Sequence, residues 1–170
     1  MLGDQLLNAL IKRSKEGDPW AQETCAKVFD FIAAKVGPNT HNINTLMKSR
    51  SWISFEAVIE LGVLFRKYSV PMDSVTFYEL FRGVTADAGK LSVDVSIRRV
   101  ETLVELMQKR GVRVHFNHVK VLKSSSFAGH ELANALRLHS GRLGMKPPTE
   151  EVRPPVSSPG LTLSTEEVRT

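Results

Sequence analysis

What most constrains this chain is a recurrence. Apolar residues fall at helical spacing almost throughout, and the helices they imply alternate between short and long. The segment NALI at 8–11 lines up with NTLM at 44–47, YELF at 78–81 and KVLK at 120–123, at offsets of 36, 34 and 42. The breaks align too: VGPN at 36–39, VPMD at 70–73, RGVRVH at 110–115 and LGMKPP at 143–148 each set a Gly or Pro stop before or beyond a hairpin. A single amphipathic hairpin cannot bury its apolar face, whereas stacked neighbours make a continuous core. The pattern therefore predicts an all-α array of four helical hairpins over residues 1–148, with units near 5–39, 40–73, 74–115 and 116–148.

Element by element, Leu6, Leu7, Leu10 and Ile11 line a first helix that Gly17 and Asp18 end. Asp18-Pro19 supplies an N-cap and a first-turn proline for a second helix, carrying Trp20, Val28, Phe29, Ile32 and Val36. A short helix with Ile43, Leu46 and Met47 precedes one longer continuous helix running from Phe55 to before Pro71. Asp73 and Ser74 cap the next, which is predicted to stop at Gly83, with Ala86 to Gly89 as a loop. Ile97 to Met107 mark a long helix stopped at Gly111, and Phe127, Leu132, Leu136 and Leu138 mark the last. Val112, Val114 and Phe116 alternate like a strand, but nothing nearby can pair with them, so 112–116 reads as a turn into a helix. From residue 149 to 170 the chain is rich in Pro, Ser, Thr and Glu with little to bury, which predicts a disordered tail.

No apolar run reaches the roughly 18 residues that a membrane helix needs, so no membrane partner is expected. The N-terminus lacks the pattern of a secretory signal. The one cysteine, Cys25, excludes an internal disulfide and reads as a small buried apolar residue. Charge is uneven. Residues 1–108 balance 13 basic against 13 acidic residues, whereas 109–146 hold eight basic residues against Glu131 alone, a local +7. Such a segment suits a polyanion or an acidic protein. His115 and His118 lie three apart, as metal pairs do, yet no carboxylate or Cys stands beside them at ligand spacing. No phosphate loop or nucleophile elbow is present, so neither catalytic residues, metal nor cofactor are expected and the chain does not read as an enzyme.

SVTFYELF, followed by ETLVELMQKRGVRVH and later GRLGMKPP, resembles the pentatricopeptide repeat, a helix-turn-helix unit of about 35 residues. The resemblance implies a right-handed α-solenoid and single-stranded RNA as ligand, each unit meeting one base through side chains of its first helix. Carried over, the first base-contacting position falls on Asn8, Asn44, Tyr78 and Lys120, and the second on Asn39, Asp73, His115 and Pro148. Asn44 with Asp73 resembles a uracil reader and Asn8 with Asn39 a cytosine reader, which suits an amide that both donates and accepts. Tyr78 can stack on a base, while Lys120 with Pro148 matches no usual reader. It further implies a mitochondrial or plastid setting, with rRNA or mRNA and the proteins of a larger ribonucleoprotein, such as a mitochondrial ribosome, as partners.

The sequence adds a feature of its own. Lys12, Lys48 and Arg82 each lie four residues after the reading position, one turn on along the same face, and the fourth unit has Ser124 there with Lys123 adjacent. A cation recurring at one repeat position makes a ladder able to follow a phosphate backbone. The alternative reading is a protein-interaction scaffold, with the basic segment against an acidic partner and no direct reading of RNA.

Overall fold

The computed structural model describes residues 2–147, with side chains from Gln5 on; Pro148 and the 149–170 segment, on which two of the expectations above fall, lie outside the described residues. All regular structure among the described residues is helical, with no strand. Its α-helices are α1 (Leu2–Lys15), α2 (Pro19–Lys35), α3 (Thr40–Arg50), α4 (Phe55–Ile59), α5 (Val63–Lys67), α6 (Ser74–Asp87), α7 (Val93–Lys109), α8 (Phe116–Lys123) and α9 (Gly129–Arg142).

The caps follow from the residues. Asp18 accepts from the N–H groups of Trp20 and Ala21 at 3.0 and 3.3 Å, and Pro19 opens α2 behind it. Gly37 and Gly111, at φ +79° and +67°, take the left-handed turn that ends α2 and α7. Residues 112–115 pair with no strand and lead directly into α8, with Val114 turned into the core. Cys25 is buried, as its apolar setting requires.

Three expectations are corrected. The helix expected from Phe55 onward is interrupted by a 3₁₀ turn at Glu60–Gly62, where Gly62 between β-branched Ile59 and Val63 weakens the α ladder. Helix α6 does not stop at Gly83 but runs on to Asp87, so Ala86 and Asp87 are helical and not a loop. Gly83 is there for proximity: a Cβ on it would sit 2.7 Å from Val58 Cγ1 and 3.0 Å from Phe55 Cα, so the glycine lets α6 lie against α4. Lastly, Trp20, Phe127 and Leu138 are 59%, 60% and 63% exposed and take no part in the core, and Phe127 precedes α9 instead of belonging to it.

Each first helix touches the next: α1 meets α3, α3 meets α6, and α6 meets α8. The central helix α6 also packs on α4 and α7, and α7 on α9. One core of buried side chains runs from Leu10 through Phe29, Met47, Phe77, Phe81 and Met107 to Leu136. Polar bonds cross the hairpins at intervals. Ser14 donates to the Ser49 carbonyl, Thr40 Oγ1 to the Pro71 carbonyl at 2.9 Å, and Gln108 Nε2 to the Leu143 carbonyl at 2.9 Å.

Candidate nucleic-acid interface

The first helices α3, α6 and α8 begin in one way. The residue before each helix has its backbone N–H accepted by the side chain three places on: Asn39 by Asn42 Oδ1 at 3.1 Å, Asp73 by Thr76 Oγ1 at 3.1 Å, His115 by His118 Nδ1 at 3.0 Å. Asn39 and Asp73 return the bond, each Oδ1 accepting the N–H at that third place at 2.9 Å. The residues expected to make the second base contact, Asn39, Asp73 and His115, are therefore exposed N-caps of α3, α6 and α8, which fixes where their side chains stand.

His118 is fully buried, with Nδ1 accepting from His115, so Nε2 carries the proton and donates to the Ser74 carbonyl at 2.9 Å. Burial, followed by the charge of His115, pulls its pKa below the ordinary histidine value despite the Ser74 bond. A base whose folded pKa is depressed binds fewer protons folded than unfolded, so its contribution is intact at neutral pH. It fades as pH falls below about 6.5, the unfolded value. Urea midpoints of the wild type should fall between pH 7.5 and 5 more steeply than those of His118→Gln; parallel profiles would show that the ring titrates freely.

Asn44 and Asp73, expected to read one base together, are brought together by bonding to each other. Asn44, 5% exposed, donates from Nδ2 to Asp73 Oδ1 at 2.8 Å and accepts at Oδ1 from the Thr76 hydroxyl at 2.7 Å. This bridge ties α3 to the start of α6, and a base approaching Asn44 meets an amide already engaged at both ends. Asn8 and Lys12 stand exposed on α1, while Lys48 on α3 is half-buried.

Between α6 and α8 the surface opens into a depression of about 480 Å³, lined by Trp52, Tyr78, Arg82, Asn117, Lys120 and Ser124 among others. Tyr78 and Lys120, two of the positions expected to meet a base, thus share one hollow with Arg82 and with Ser124, which stands where the expected cation ladder has no cation, while Lys123 is exposed outside its lining. Arg82 is fixed from several sides. It pairs with buried Glu79 at 3.1 Å, donates to the Tyr78 hydroxyl at 2.7 Å, and lies 4.3 Å over Trp52 and 4.6 Å over Tyr78. Glu79 is held in turn by the Ser51 hydroxyl at 2.7 Å.

Sequence reasoning missed Trp52, Asn117 and Lys15. Trp52 follows α3 in a turn, half exposed, and Lys15 Nζ lies 4.7 Å from its ring centre. Partial burial, then the charges of Lys48 and Arg82, hold the Lys15 ammonium below the ordinary lysine value. The available signal was Lys15 at i+3 from Lys12, on a neighbouring part of the same helix. No group of His, Cys, Asp and Glu among the described residues is arranged to hold a metal ion, and no described helix is long and apolar enough to cross a membrane. Compared with family models, curated proteins and solved structures, the chain matches none.

Proposed function

We propose that this protein binds single-stranded RNA along the side where α1, α3, α6 and α8 follow one another, as a short pentatricopeptide-repeat-like array wound into a right-handed solenoid. It serves as a binding subunit of an organellar ribonucleoprotein, mitochondrial or plastid, contacting rRNA or mRNA beside other proteins. The observation that carries the reading is the hollow between α6 and α8, where Tyr78, Trp52, Arg82 and Lys120 interleave aromatic faces with cations. That combination suits single strands, because exposed bases stack on rings while the backbone follows positive charge. The +7 of residues 109–146 extends the same field across the fourth hairpin. Tyr78 and Lys120 carry the base contacts best, since Asn44 is already bonded at both amide atoms.

Fluorescence anisotropy against an unstructured RNA and a duplex of equal length tests this. The single strand should bind better, and Lys123→Gln should reduce the slope of log affinity on log salt by roughly 0.7, the loss of one phosphate contact. Tyr78→Leu should weaken binding by roughly 5- to 50-fold, as expected for a lost stacking contact, and leave the salt slope almost unchanged. Preference for duplex, or no RNA binding with capture of an acidic protein, would replace this reading with the scaffold.

A further inference from the structure

We infer that Lys15 and Arg82, which share the Trp52 ring, form a phosphate-binding node together with Lys48, which sits on α3 four residues before Trp52. This rests on the RNA reading above and changes its geometry: the backbone is gripped at a point on the wall of the groove instead of being followed by an evenly spaced ladder. Lys15 comes from α1, Lys48 from α3 and Arg82 from α6. Lys15 Nζ and the Arg82 guanidinium both lie on the Trp52 ring, at 4.7 and 4.3 Å from its centre. Among the described residues neither Lys15 nor Lys48 has an ion-pair partner, and Glu79, which faces the cluster, is already bonded to Arg82 and Ser51.

One buried carboxylate against three cations leaves an excess of two positive charges. Like charges held together by the fold cost free energy until an anion enters, which makes such a cluster a receptor for one. The Lys15 ammonium is lowered from its ordinary value by partial burial first, and then by the charges of Lys48 and Arg82. Phosphate fits better than a carboxylate side chain. Its oxygens can meet two ammonium groups and a guanidinium at once, and Arg82 spends only part of its five-donor fork on Glu79 and Tyr78. Trp52 and Arg82 also line the hollow that holds Tyr78 and Lys120, so a phosphate at the node places the adjoining nucleotide beside those side chains.

The chain has two tryptophans, so in a Trp20→Phe background the emission of Trp52 reports the node alone. Titration with inorganic tripolyphosphate should give a saturable change, at least 5-fold weaker in Lys15→Gln/Lys48→Gln and unchanged in Lys27→Gln, which removes an exposed charge on α2. In parallel, the double variant should lose roughly 1.4 from the RNA salt slope, about 0.7 for each cation. A 5′-phosphorylated RNA that binds tighter than its 5′-hydroxyl twin assigns the node to a strand end, and equal binding assigns it to an internal diester. A silent Trp52, or an equal response to a glutamate oligomer of matched charge, would overturn the node. So would a full RNA salt slope in the double variant, and the RNA reading would then survive without it. A tripolyphosphate response with no RNA binding would instead keep the phosphate site and end the RNA reading.

Discussion

Replacing Phe81 by alanine is expected to cost about 3–5 kcal/mol, the usual range for emptying a fully buried phenylalanine site. Phe81 has no exposed surface, sits on α6 and tilts against the ring of His118 at 5.6 Å. Its helix touches α3, α4, α7 and α8, so the cavity would open where the second, third and fourth hairpins meet. Since each kcal/mol shifts the midpoint by roughly 2–4 °C for a chain near this size, the melting temperature should fall by on the order of 10 °C. In the proposed array, stability is close to a sum of units and interfaces, so damage at the centre should also broaden the transition as the two ends unfold separately. Phe127→Ala, at an exposed site, should stay within about 0.5 kcal/mol. Urea titrations followed by helical circular dichroism decide it. A loss below about 1 kcal/mol for Phe81→Ala would mean that the core closes without α6.

The all-helical character was legible because it is written locally. Asp18-Pro19 and Asp73 each carry their capping chemistry within three residues, and they start α2 and α6 where expected. Val112, Val114 and Phe116 were resolved by context, since alternation without a partner strand has no ladder to join. What failed depends on neighbours distant in sequence. Gly83 reads as a stop in isolation, and only the approach of α4 shows that it is a contact glycine inside a continuing helix. Trp20, Phe127 and Leu138 look like core residues because periodicity assigns a face, but a face is buried only where a neighbour covers it.

The candidate site was legible to the same extent. Repeat spacing brought Tyr78, Arg82 and Lys120 to one hollow, because equivalent positions on touching helices project alike. Spacing does not report which of them already has a partner. Arg82 is tied to a buried glutamate, so Arg82→Gln would strip Glu79 of its counter-charge and disturb the fold as well as the groove. Asn44 is bound to Asp73 and Thr76, atoms 29 and 32 residues away that no local pattern connects. On α1, Lys15 rather than Lys12 stands over Trp52, since small rotations of a helix against its neighbour decide which of two cations on adjoining faces turns inward.

The same distinction sets the expectation for Asp87, which lay in a supposed loop and instead closes the junction of two hairpins. Its Oδ2 accepts the Phe55 N–H at 2.9 Å and pairs with Arg99 at 3.0 Å, while Arg99 also pairs with Glu56 and lies over the Phe55 ring. Asp87→Ala leaves a buried N–H and a mostly buried guanidinium short of an acceptor, which should cost about 3 kcal/mol, the lower end for breaking a buried pair because Glu56 remains. Asp87→Asn keeps an acceptor for Phe55 and should cost less. Burial alone would raise the Asp87 carboxyl, but the Phe55 N–H and then Arg99 outweigh it and hold the group below the usual aspartate value. A carboxyl depressed in this way stabilises the fold above its unfolded value, about 3.9, and the contribution is lost as pH falls through the folded value. The gap between wild type and Asp87→Ala, measured by urea midpoint, should therefore be full at pH 7 and shrink once the pH drops below about 3.9. A gap that is the same at pH 7 and pH 3 would assign the loss to helix packing around residue 87, and the ionised carboxylate would have no share in it.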